Sequence, residues 1–162
     1  MRTSATHAFS FLLLLLTFGL ATTSAAAQVG SAPSEPFKVV DNMPLFPGCD
    51  ELENGPYHEM KRCADQRMLE YIYGNVEYPQ EAQEAKVEGM TVIQFIVEKD
   101  GTLSNAHILR NPGAGTGEEA LRVVNKMNAD GLRWRAGVQD GQPVRVTFNL
   151  PIKFKLQGET GE

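Results

Sequence analysis

From residue 144 to residue 156 every second position is apolar: Val144, Val146, Phe148, Leu150, Ile152, Phe154 and Leu156. Between them stand Arg145, Thr147, Asn149, Pro151, Lys153 and Lys155. A period of two over so long a run predicts one long β-strand with a buried face and a wet face. Pro151 has no N–H to donate, so at least one side of that strand is expected to lack a partner. Lys153 and Lys155 read as protection of an exposed edge. Residues 90–98, MTVIQFIVE, form a second strand, β-branched and aromatic, with apolar residues on both faces. Thr91, Ile93, Phe95 and Val97 share one face, and Met90, Val92, Gln94 and Ile96 the other. Lys99-Asp100-Gly101 is a hairpin turn, and a strand over residues 102–109 follows it.

Elsewhere the spacing turns helical. Met60, Cys63, Arg67, Met68, Tyr71 and Ile72 recur at three- and four-residue steps, which predicts a helix over residues 59–73 ending at Gly74. Pro79 opens a short helix, PQEAQEAKV, closed by Gly89. Ala120, Val123, Val124 and Met127 make the apolar stripe of a helix over residues 117–127. Thr116 and Glu119 fit a capping box at its start. Residues 41–58, rich in Pro, Gly and acids, read as loop. The order helix, short helix, strand, hairpin, strand, helix, long strand predicts an α+β fold. In it a small antiparallel sheet, about three strands, packs against two or three helices.

The N-terminus changes the setting. Arg2, an apolar run from Ala8 to about Ala21, and Ala25-Ala26-Ala27 have the three-part form of a secretory signal cleaved after Ala27. The apolar core is about 14 residues, short of the roughly 20 that span a bilayer. The alternative is an uncleaved anchor that borrows residues 22–27. The expected organisation is a signal over residues 1–27, a flexible leader over 28–40, an N-terminal extension over 41–75, the main domain over 76–157 and a disordered tail over 158–162. The formal net charge is −5, one unit more negative without Arg2, and Lys and Arg do not cluster. That balance argues against nucleic acid and anionic lipid as main partners.

The only two cysteines, Cys49 and Cys63, flank His58 in FPGCDELENGPYHEMKRC. A disulfide, a reactive thiol and a metal site are all conceivable. An exported compartment favours the disulfide. Zinc calls for four ligands with close pairs, and a nucleophilic thiol for a base with an orienting group. Neither pattern is present. NPGAGTGEE, between strand and helix, lacks the lysine and hydroxyl of a phosphate loop. His107 has no acid or nucleophile at a matching offset, and Trp134 reads as a core anchor between two solvated arginines. No catalytic residue, metal or cofactor is implied, and no small-molecule substrate is expected. What remains is the last strand, whose open edge suits the addition of an extended peptide.

The ordered set YPQEAQEAKVEG, TVIQFIVEKDG, LSNAHILRNPGAGTGEEALRVVNKM and LRWRAGVQDGQPVRVTFNLPIKFKL resembles the C-terminal domain of TonB-family proteins over residues 43–156. MPLFPG upstream resembles the lead-in of the Bacteroidetes-type versions. The resemblance implies a periplasmic domain that pairs its last strand with the TonB-box segment of an outer-membrane transporter and takes part in energy transduction. Carried over, the peptide-binding residues are Val144, Arg145, Val146, Thr147, Phe148, Asn149 and Leu150. Gln83 joins them through the match of Tyr78, Pro79, Ala82 and Gln83 to the family's Tyr-Pro-x-x-Ala-Gln motif. A leader of about 11 residues extends at most roughly 40 Å, which points to a stand-alone periplasmic version. The other class of function is a structural or assembly module that dimerises through the same edge or binds another envelope protein.

Overall fold

Gly89–Val97, nine residues that are mostly β-branched, apolar or aromatic, form the central strand β1. The computed structural model describes residues 34–156; the signal, the first part of the leader and the tail expected from the sequence lie outside the described residues. Strand β2, Leu103–Arg110, and strand β5, Val146–Phe154, both pair antiparallel with β1 in the order β2-β1-β5. Strands β3, Gly137–Gln139, and β4, Gln142–Val144, form a separate two-stranded sheet. Helices α1, Tyr57–Asn75, α2, Gln80–Glu84, and α3, Thr116–Ala129, complete the α+β fold.

The helices cover one face of the larger sheet. Thr91, Ile93, Phe95 and Val97 of β1 are fully buried, and Leu150 and Phe148 stand beside Ile93 and Phe95 on the same face. Ala120, Val124 and Met127 of α3 and Met60, Ala64 and Ile72 of α1 pack into the same cluster. The apolar stripe of α3 therefore does what its spacing dictates. The opposite face is wetter: Gln94 donates its side-chain N–H to Asn149 Oδ1 across it at 2.8 Å.

The segment before α1 belongs to this core. Leu45 and Phe46 are buried, and Phe46 packs between Tyr71 and the edge of Trp134 at 5.7 and 5.5 Å. Trp134 in turn meets Phe95 and Phe148 at 5.6 and 5.2 Å, as the anchor the sequence suggested. Backbone bonds join Leu45 to Arg135 and Asn42 to Val138 in both directions, at 2.9–3.1 Å. Cys49 and Cys63 form a disulfide that ties the lead-in to α1, Cα to Cα 6.2 Å. That decides the three-way question in favour of the crosslink. The hairpin turn after β1 is fixed by Gly101 at φ +79°, where a Cβ would collide with the Trp134 carbonyl oxygen.

Three local expectations need correction. The run 144–156 is not one strand: Val144 ends β4, the chain changes sheets at Arg145, and Leu156 lies beyond β5 with its N–H on Glu88 Oε1 at 2.7 Å. Alternation reports which face a side chain takes, and says nothing of which strand the backbone pairs with. The capping box at Thr116 does not form. The cap is Gly115 at φ +80°, and the Thr116 hydroxyl donates to the Gly113 carbonyl at 2.8 Å. Glu119 instead accepts the Glu77 N–H at 2.7 Å and pairs with Arg122 at 2.7 Å. Finally, the short helix is trimmed to Gln80–Glu84, with Pro79 as its N-cap and Lys86 at φ +52° unwinding its end.

Candidate site at the outer edge of the last strand

β5 is an outer strand of its sheet, so one row of its backbone groups points away from β1. Parity identifies the row. Thr147 donates its N–H to Phe37 O and Arg145 O accepts from Phe37 N–H, each at 2.8 Å, and Lys153 N–H reaches the Tyr73 hydroxyl at 3.4 Å. In an antiparallel pair the outward groups fall on alternate residues, so 145, 147, 149, 151 and 153 face out. Pro151 lies on that row, where its missing N–H costs the ladder nothing. Asn149 is left with an outward N–H and carbonyl, flanked by the outward carbonyls of Thr147 and Pro151.

Both ends of the row are covered by the chain itself. At the start, Phe37 makes a parallel bridge to Val146, and Arg145 Nη1 donates to the Ser34 carbonyl at 2.6 Å. At the far end stands Tyr73, from the last turn of α1. Leu69 lies one helical turn earlier on the same face of α1. Phe37, Val39, Leu69 and Tyr73 are four of the five exposed large hydrophobics among the described residues, at 42, 82, 47 and 51% exposure; the fifth is Leu109 on β2. Of these, Phe37 and Tyr73 stand at the two ends of the β5 row, and apolar surface left in water beside a sheet edge marks an interaction surface.

The residues expected at the site divide sharply. Thr147 and Asn149 present backbone groups at the edge and carry their side chains on the wet face, where Asn149 Oδ1 accepts from Gln94 of β1. Val146 and Leu150 are buried, and Phe148 packs on Trp134, so these three contribute to the core. Arg145 is committed internally: its guanidinium donates to both carboxylate oxygens of Glu98, at 2.6 and 2.9 Å. The bond from Arg145, helped by one from Ser104, holds the Glu98 carboxyl below its ordinary range against the opposing pull of partial burial. Val144 lies in the other sheet. Gln83 sits on α2, its amide donating to the Tyr78 carbonyl at 2.9 Å. Tyr78 packs edge-on against Phe154, so α2 adjoins the other end of β5, about 13 Å of strand from Leu150. The structure does not bring Gln83 beside residues 144–150.

Phe37, Leu69 and Tyr73 escape a reading of the sequence. Phe37 is a lone aromatic in a polar leader, and Leu69 and Tyr73 fall outside the buried stripe of α1; neither position says where the β5 edge will pass. His58 and His107 are exposed, the His107 ring bonding to the Asn105 carbonyl of its own strand. Among the described residues no three His, Cys, Asp or Glu side chains converge as metal ligands, and no helix is long and apolar enough to cross a membrane. A surface cavity of about 260 Å³ opens beside the disulfide, between the lead-in and α1, with Met60 and Trp134 in its wall.

Fold and edge together define a small α+β domain that displays backbone hydrogen-bonding groups along one side of its sheet. The family model for the C-terminal of the Gram-negative bacterial TonB protein matches residues 74–156, just over half of the chain, and the chain belongs to that family. Among solved structures, the NMR solution structure of the Helicobacter pylori TonB C-terminal domain is similar at 19% identity and a TM-score of 0.46, over 68% of this chain and 92% of that one. No curated protein matches the chain.

Proposed function

We propose that this protein is a periplasmic binding module that adds an extended segment of an outer-membrane transporter, of the TonB-box kind, to the outer edge of β5. Family membership supports the class of partner. The observation that carries the edge is the outward N–H and carbonyl of Asn149, with the flanking carbonyls of Thr147 and Pro151, which form no strand pair among the described residues. Main-chain bonds of this kind supply affinity, and side-chain surroundings supply selectivity. Here the surroundings are Tyr73 on the helical side and Thr147 and Asn149 on the open face. Export by a cleaved segment over residues 1–27 would deliver the domain to the compartment where such segments are exposed.

The test is a titration of ¹⁵N-labelled residues 28–162 with TonB-box peptides from outer-membrane transporters of the same organism. Amide shifts centred on Thr147, Asn149 and Lys153 are the expected result. No shifts at millimolar peptide would remove the reading. Sedimentation of the free protein checks the assembly alternative, since a dimer through the same edge would protect the same amides without peptide.

A further inference from the structure

The first positions of the β5 edge are already filled by the chain's own leader. Phe37 exchanges two main-chain bonds with the strand, one to Arg145 O and one from Thr147 N–H, both at 2.8 Å. Arg145 adds a third by donating to the Ser34 carbonyl at 2.6 Å. These are the bonds an incoming strand would make there. The leader then leaves the edge: Asn42 pairs with Val138 of β3, and Leu45 with Arg135 just before that strand.

The attachment is small. Phe37 is 42% exposed, Val39 is 82% exposed, and neither belongs to the hydrophobic core. The lead-in from Asn42 onward is held by its own backbone bonds and by the buried Leu45 and Phe46, so the fold does not depend on residues 34–37. A segment held by three hydrogen bonds, with its aromatic ring half in water, is one that a competing strand can lift.

What the leader covers matters for any partner. Of the outward N–H groups on residues 147, 149, 151 and 153, Pro151 has none, Lys153 is on Tyr73 and Thr147 is on Phe37. With the leader in place Asn149 is the single outward donor still open in that row. With the leader lifted, Thr147 N–H and Arg145 O join it, and the edge becomes a continuous template from residue 145 to residue 151.

We propose that residues 34–37 act as an internal competitor for the β5 edge, and that a partner strand displaces them to gain the full row. This rests on the edge-pairing reading above and specifies how that edge is regulated. The arrangement makes affinity depend on the leader, because a site open only part of the time binds more weakly by that fraction.

The test compares residues 28–162 with the Phe37→Pro and Phe37→Gly variants, titrated with one TonB-box peptide by calorimetry and by ¹⁵N spectra. Phe37→Pro removes the N–H that bonds Arg145 O. Phe37→Gly removes the ring and keeps the N–H. Tighter binding by about tenfold in Phe37→Pro is expected, the factor for a leader that covers the edge about nine-tenths of the time. In the unsubstituted protein the Phe37 amide should move to the position of a released leader as peptide saturates. Equal affinities, with the Phe37 amide unmoved at saturation, would overturn the competitor while leaving edge pairing intact. No binding by any of the three proteins would remove edge pairing itself, and the competitor with it.

Discussion

Proline substitutions at two neighbouring positions of β5 test the parity on which the site rests. Asn149→Pro removes an N–H that faces outward, whereas Leu150→Pro removes one that faces β1, where Leu150 pairs with Ile93. At 149 the folded chain loses the side-chain bond from Gln94, about 1 kcal/mol, and takes on proline's narrower φ, for a total near 1–2 kcal/mol. At 150 a ladder bond goes and a buried β1 acceptor is left unpaired, about 1–3 kcal/mol. The ring also replaces a Leu side chain only 1% exposed, which adds about 2–3 kcal/mol. The pair should therefore differ by at least about 1 kcal/mol and by about 3 kcal/mol at mid-range, the latter roughly 9–12 °C in melting temperature for a domain of this size. Trp134, the only tryptophan and 4% exposed, reports unfolding in urea by fluorescence. Leu150→Ala and Asn149→Ala separate the side-chain losses from the backbone losses, which should leave about 1–3 kcal/mol more at 150 than at 149. Equal destabilisation by the two prolines, after that subtraction, would mean that Asn149 N–H is not on the outer row, and the site would have to be redrawn. In the peptide titration Asn149→Pro should weaken binding about fivefold, the loss of one main-chain bond.

Other consequences follow from single features. Replacing Cys49 and Cys63 together by serine should lower stability by about 3 kcal/mol through the freed unfolded chain, measured by calorimetry under oxidising conditions; a change under about 0.5 kcal/mol would show that the crosslink constrains nothing. Glu98 has its carboxyl held low by Arg145, so its contribution is complete above its unfolded pKa, about 4.3, and is lost as pH falls through the lower folded value. Glu98→Gln should therefore flatten the acid limb of stability below about pH 5, and an unchanged limb would discount the pair. Gly101→Ala should cost at least about 2 kcal/mol in urea unfolding, because it adds a Cβ at positive φ against the Trp134 carbonyl.

Much of this molecule can be read before it folds. The 3.6-residue stripe of α3 and the alternation along β1 and β5 specify which side chains are buried, because burial depends on local period. Pro151 announced an unpaired side of β5 for the simplest of reasons, a missing donor. The cysteine pair was legible as a crosslink once the N-terminus suggested an exported chain. The break at Arg145 was not legible, since Val144 and Val146 keep the alternation while their backbones pair in different sheets. The cap of α3 was misread because a left-handed Gly115 replaced the side-chain cap that Thr116 and Glu119 implied.

The sequence by itself determined the α+β class, the faces of the strands and the family, all of which rest on near-neighbour periodicity and ordered motifs. Only the tertiary structure decided that Phe37 lies on the start of the β5 edge and Tyr73 on its end, with Gln83 far along the strand. Those placements join residues as much as 110 positions apart, such as Phe37 and Thr147. They depend on where loops cross the sheet, and no local period along the chain encodes that.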